Sequence, residues 1–174
     1  MQVLLGDQPI EVYGNKPKTG NPLVGRFVLP PAYNTKRALR DIDLTKGIVI
    51  LSTLPNIKSN ACTTQVLDLE NEIKKRKLNA KLYHVACDCP DHWEEVRQLH
   101  PFLKAKGFTL EKANPADVET FKKSLGVGVA GSKRIVHGLF AFQDGKLLKA
   151  YIPRQQYGSP NIKKFLNSIF GNGK

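Results

Sequence analysis

The chain has 174 residues, 27 Lys and Arg against 15 Asp and Glu for a formal net charge of +12, 41% hydrophobic side chains and three cysteines. One domain of ~100–200 residues fits this length, and such a chain buries ~70% of its unfolded surface without a disulfide or metal staple. No apolar run approaches the ~18 residues of a membrane span, the start from Met1 to Asp7 lacks the parts of a secretion signal, and three cysteines make no disulfide framework, so a single cytoplasmic domain over residues 1–174 is expected.

Val3–Leu5 and Ile10–Tyr13 flank the turn signal Gly6-Asp7-Gln8-Pro9, which predicts an N-terminal β-hairpin over about residues 1–14. A loop follows to Pro22. Arg26–Leu29 reads as a short strand stopped by Pro30-Pro31, and residues 32–46 read as irregular. Gly47–Leu54 is β-branched and almost wholly apolar, the pattern of a strand buried on both faces of a central sheet. After Pro55, Ser59-Asn60 offers an N-cap to a helix carrying Ala61, Gln65, Val66, Leu69 and Ile73. That helix closes on Lys74–Lys77, cations suited to the negative end of its dipole.

The alternation then repeats. Lys81–Cys87 is a strand, Pro90–Leu99 a helix with Trp93, Val96 and Leu99 apolar, and Phe108–Leu110 a short strand. Asn114-Pro115 starts a helix that Gly126 ends. Val127–Arg134 reads as a Gly-rich loop. Gly138–Phe142 and Lys146–Ile152 form strands about Asp144-Gly145, a favoured hairpin turn, and Asn161–Phe170 is a last amphipathic helix. The order β-β-β-β-α-β-α-β-α-β-β-α predicts one α/β sandwich, a central sheet flanked by helices.

Cys62 is the residue best placed for chemistry. It follows the buried strand, lies in the first turn of a helix and has Ser59 three positions upstream. Backbone N–H groups and the positive dipole end there favour a thiolate, and sites in open α/β sheets collect at the carboxyl ends of strands. A buried structural cysteine is the plainer alternative. Cys87, Cys89, His84 and His92 match no common zinc spacing, so no metal or other cofactor is expected. A thioredoxin-type C-x-x-C is excluded because Ser59 stands where its first sulfur belongs.

The segment Pro55-Asn56-Ile57-Lys58-Ser59-Asn60-Ala61-Cys62 fits the pattern P-x-x-x-[T/S]-x-x-C. With the N-terminal hairpin, Asp88-Cys89-Pro90, Leu125-Gly126-Val127 and the closing hairpin, the chain resembles the thiol peroxidase branch of the peroxiredoxin family along nearly its full length. The resemblance implies a thioredoxin-like fold and a peroxidatic cysteine, Cys62, that reduces hydrogen peroxide or organic hydroperoxides and cycles through sulfenic acid. Pro55 would shield the pocket and Ser59 would hydrogen-bond the thiolate or peroxide. A thiol reductant such as thioredoxin and a homodimer are implied as partners.

Two family positions differ. His137 stands where the family has an arginine, with one donor in place of a charged fork; Arg134 is a candidate substitute, although an odd offset on a strand points to the opposite face. Arg97 stands where the resolving cysteine is expected, leaving Cys89 and Cys87 as candidates for that thiol. A second reading keeps the fold without efficient turnover, as a binding or structural component. Residues 114–174 carry ten basic and three acidic side chains, against nine and eight in 59–113. In that second reading this basic C-terminal third contacts an anionic partner such as RNA or an acidic protein; solvated lysines with no partner are the bland alternative.

Overall fold

The computed structural model describes residues 1–88 and 90–171. In chain order the elements are β1 (Gln2–Leu5), β2 (Gln8–Tyr13), β3 (Val28–Leu29), β4 (Pro31–Tyr33), β5 (Leu39–Arg40), a 3-10 turn (Asp41–Leu44) and β6 (Ile48–Leu54). There follow α1 (Asn60–Lys75), β7 (Lys81–Ala86), α2 (Pro90–Leu99), β8 (Lys106–Thr109), α3 (Pro115–Leu125), β9 (Gly128–Val129), β10 (Gly138–Gln143), β11 (Lys146–Tyr151) and α4 (Ile162–Phe170).

A six-stranded sheet in the order β11-β10-β6-β7-β8-β4 forms the centre. Its middle strands β6, β7 and β8 run parallel, while β10, β11 and β4 add antiparallel. The parallel arrangement demands crossovers, which α1 and α2 supply. Period-two alternation divides the core: Val49, Leu51, Val85, Phe108, Phe140 and Phe142 pack with Phe121 and Leu125 of α3 on one face. On the other face Ile50, Leu139 and Ala141 meet Leu69 of α1 and Phe165 and Leu166 of α4, and Leu54 and Ala86 meet Cys62, Val66, Trp93 and Val96. β6 is therefore buried on both sides, as its unbroken apolar run requires. The expected sandwich of sheet and flanking helices is present.

Four local expectations are corrected. Residues 32–46 are not irregular throughout: β5 pairs with β3, and a 3-10 turn follows. Pro31 opens β4 rather than merely stopping a strand, at the sheet's edge, where a missing N–H costs no ladder bond. The Gly-rich loop holds β9, which extends the N-terminal hairpin to three strands by pairing with β2. Leu99 is 77% exposed, because α2 ends beside His100-Pro101 and its last turn leaves the core.

Candidate active site

Local sequence builds the first half of the site. β6 ends at Leu54, and Pro55 turns the chain toward α1. Ser59 caps that helix: its hydroxyl accepts from Cys62 N–H at 3.2 Å, the bond that fixes the first turn. The preceding loop is tied to the segment after β7, where Ile57 N–H donates to Asp88 Oδ1 at 2.8 Å. The register Leu54↔Ala86 between parallel β6 and β7 brings both strand ends to one edge of the sheet.

The second half comes from a distant segment. Residues 134–137 precede β10 without belonging to a regular strand, so alternation does not separate Arg134 from His137. Both line the same pocket, of about 620 Å3, together with Pro55, Ser59 and Ala61. The expected opposite-face placement of Arg134 is thereby overturned. His137 Nε2 lies 3.9 Å from Cys62 Sγ, and its Nδ1 lies 2.8 Å from Gln65 Oε1. Gln65 Nε2 donates to Ser52 Oγ at 2.6 Å and to the Thr53 carbonyl at 3.2 Å. The His137 backbone is clamped as well: its N–H donates to Gln156 Oε1 at 2.7 Å, and Gln156 Nε2 donates to the His137 and Pro153 carbonyls. Thr53 Oγ1 donates to the Val136 carbonyl at 2.9 Å.

Cys62 is fully covered. Burial pushes its thiol up to about 11, against the Ser59 hydroxyl, the Asn56 backbone and Arg134, which favour the thiolate; Asp88 adds to the rise. Burial likewise holds His137 down, to about 4. The pocket stops short of the sulfur. One part of its wall is apolar, with Leu5 and Ile10 from the hairpin and Val129, Ile135 and Val136 from the β9–β10 segment.

The other candidates fall apart from this centre. Cys87 packs with the α3-side core, whereas Cys62 belongs to the α2-side cluster. The Cys87 thiol donates to the Lys133 carbonyl at 3.7 Å. Cys89 lies outside the described residues. Among the described residues no three His, Cys, Asp or Glu side chains converge to hold a metal; His84 is sealed in the core, and His92 bonds Asp88 at 2.7 Å. Gln65, Gln156, Ser52 and Thr53 are site residues that sequence reading missed. Only Gln65 left a signal, as a polar residue on the buried face of a helix.

No protein-family model matches the chain, and no curated protein does. Solved structures do. A thiol peroxidase from Chromobacterium violaceum superposes with a TM-score of 0.76 at 14% identity, over 96% of each chain. A peroxiredoxin-like protein from Aquifex aeolicus gives 0.73 at 14% identity, covering 95% of this chain and 94% of the other. Peroxidoxin BcpB from Mycobacterium tuberculosis gives 0.60 at 20% identity over 80% and 88%. The chain has the thioredoxin-like fold of these proteins, reached at a sequence identity where little but the fold is held in common.

Proposed function

We propose that this protein is a thiol-dependent peroxidase in which Cys62 reduces a hydroperoxide. The observation that carries the reading is Cys62 in the Ser59-capped first turn of α1, 3.9 Å from His137 and beside the pocket. The sulfur lone pair attacks the terminal oxygen of ROOH, the O–O bond breaks, and the products are Cys62 sulfenic acid and ROH. Sulfur loses two electrons and the peroxide gains them. Leu5, Ile10, Val129 and Val136 offer the tail of an organic hydroperoxide an apolar wall, which favours it over hydrogen peroxide by the area it buries.

The sulfenic acid then condenses with a thiol, releasing water. Cys87 packs in a different core cluster from Cys62 and its thiol donates to the Lys133 carbonyl, so an external thiol reductant such as thioredoxin fits the resolving step better than Cys87. Peroxide consumption by the wild type beside Cys62→Ser tests the reading: activity is expected only with Cys62, and equal rates would reject it. Peptide mapping after one equivalent of peroxide is expected to show oxygen added at Cys62. A Cys62–Cys87 or Cys62–Cys89 linkage would instead establish an internal resolver.

A further inference from the structure

His137 stands where the resemblance places an arginine, and an imidazole offers a different kind of activation from a guanidinium. We propose that His137 is the general base for Cys62, taking the thiol proton on Nε2, and that Gln65 is the positioning residue that fixes the imidazole in the required tautomer. The proposal takes its substrate from the peroxidase reading, while the geometry stands without it.

The tautomer follows from hydrogen-bond bookkeeping. The Thr53 carbonyl can only accept, so the Gln65 atom 3.2 Å from it is the amide NH2. Rotating the amide would set two acceptors against each other there. Gln65 Oε1 is consequently the atom facing His137 Nδ1 at 2.8 Å, and Nδ1 must carry the proton to bond it. In a neutral ring this leaves a lone pair on Nε2, the atom 3.9 Å from Cys62 Sγ, so the thiol donates and the imidazole accepts. The rest of the shell holds this arrangement in place. Ser52 bonds the other side of Gln65, and Gln156 and Thr53 fix the backbone on both sides of the ring.

Burial disfavours the thiolate and the imidazolium alike. The charged groups acting on Cys62 are Asp88, which opposes ionisation, and Arg134, which assists it; on His137 the dominant influence is burial. The resting pair is therefore thiol and neutral imidazole. A guanidinium stabilises a thiolate already formed and has no lone pair to receive a proton. His137 removes the proton as the bond to oxygen forms. The proton passes from Sγ to Nε2 while sulfur attacks the terminal oxygen. It then leaves Nε2 for the departing alkoxide, so that thiol and ROOH become sulfenic acid and ROH with the imidazole neutral again.

Nitrogen-15 NMR of the full chain without peroxide reads the tautomer directly. The expected result is neutral His137 protonated on Nδ1 from pH 5.5 to 8; an Nε2–H tautomer or an imidazolium overturns the proposal. In single-turnover oxidation, His137→Gln and His137→Ala, each checked for folding by circular dichroism, are expected to slow sulfenic acid formation by ~10²–10⁴. Added imidazole should restore part of the rate in His137→Ala, in proportion to its neutral fraction. Gln65→Leu, checked for folding in the same way, should lose the Nδ1–H preference and slow the step. Wild-type rates in the His137 variants overturn the base while leaving the peroxidase reading intact. If the wild type consumes no peroxide, that reading fails, and the NMR tautomer together with the pH profile of Cys62 alkylation still decides the pairing: a thiolate titrating below pH 7 overturns it.

Discussion

Ser59 carries two tasks with one hydroxyl. It caps α1 by accepting from Cys62 N–H, and its side chain is the strongest influence holding down the Cys62 thiol against burial. Ser59→Ala should therefore lower unfolding stability by ~1 kcal/mol, the usual worth of such a cap, and slow Cys62 alkylation at pH 8 because less thiolate remains. Ser59→Thr should keep both properties. Loss of stability with unchanged alkylation would confine Ser59 to capping. This half of the site was legible because its parts are neighbours in sequence: Pro55, Ser59 and Cys62 fall within eight residues, and strand, turn and cap each leave a local pattern. The other half was not. His137 meets a glutamine 72 positions away, and no periodicity in one segment reveals a hydrogen bond to another. Arg134 was misplaced for a related reason: alternation holds only on a strand, and β10 begins at Gly138, after both residues.

The N-terminal hairpin has a role that its own sequence does not declare. Leu4 N–H donates to the Arg154 carbonyl at 2.7 Å, and Gln156 N–H donates to the Leu4 carbonyl at 2.6 Å. The Gln155 side chain bonds both the N–H and the carbonyl of Gly6, at 2.8 and 3.0 Å. The hairpin is thus fastened to the segment whose Gln156 clamps His137, and it contributes Leu5 and Ile10 to the pocket wall. Gln155→Ala removes these two bonds and the one its Oε1 accepts from Tyr157 N–H at 3.0 Å, roughly 0.5–1.5 kcal/mol each. The expected outcome in steady-state kinetics is a higher KM for a bulky apolar hydroperoxide with kcat and the hydrogen peroxide rate little changed; an equal loss for both substrates would mean that the hairpin shapes His137 rather than the wall. Elements with their own punctuation were readable: Asp144-Gly145 takes the two left-handed positions of a tight turn, at φ 50 and 86, and Asn114 and Gly126 bound α3 as caps. Strands β4 and β9 have three and two residues. They exist only through the partner that each pairs with, so their own residues carry no period to read.

For the molecule as a whole, linear charge counts proved a poor guide to charged faces. The near-balanced segment 59–113 places Lys74, Lys77, Lys81, Lys104 and Lys106 around one groove with Glu70 as its acidic lining residue, while other acidic residues of the segment are engaged elsewhere: Glu95 with Lys58, Glu94 with Arg97, and Asp88 with His92 and the Ile57 N–H. The buried histidines have the larger consequence for stability. His84 is fully buried on β7, and among the described residues neither ring nitrogen has a hydrogen-bond partner, nor has Trp93 Nε1 from the ring beside it. Burial holds His84 down to about 3 and His137 to about 4, from an ordinary 6.5. Between those values and pH 6.5 the unfolded chain binds protons that the folded chain refuses, so stability is full above 6.5 and falls as the solution is acidified. At ~1.4 kcal/mol per pH unit, each histidine withdraws at most about 3 kcal/mol between pH 6.5 and 4, a sizeable share of a typical ~5–15 kcal/mol. Urea midpoints should therefore drop steeply from pH 6.5 to 4.5. His84→Leu replaces an unpartnered polar ring with an apolar side chain, so it should raise stability at pH 7.5 by ~1–2 kcal/mol and take up about one proton fewer on acid unfolding. Parallel pH profiles for His84→Leu and the wild type would show that His84 is protonated in the folded core, and would exclude it from the acid response.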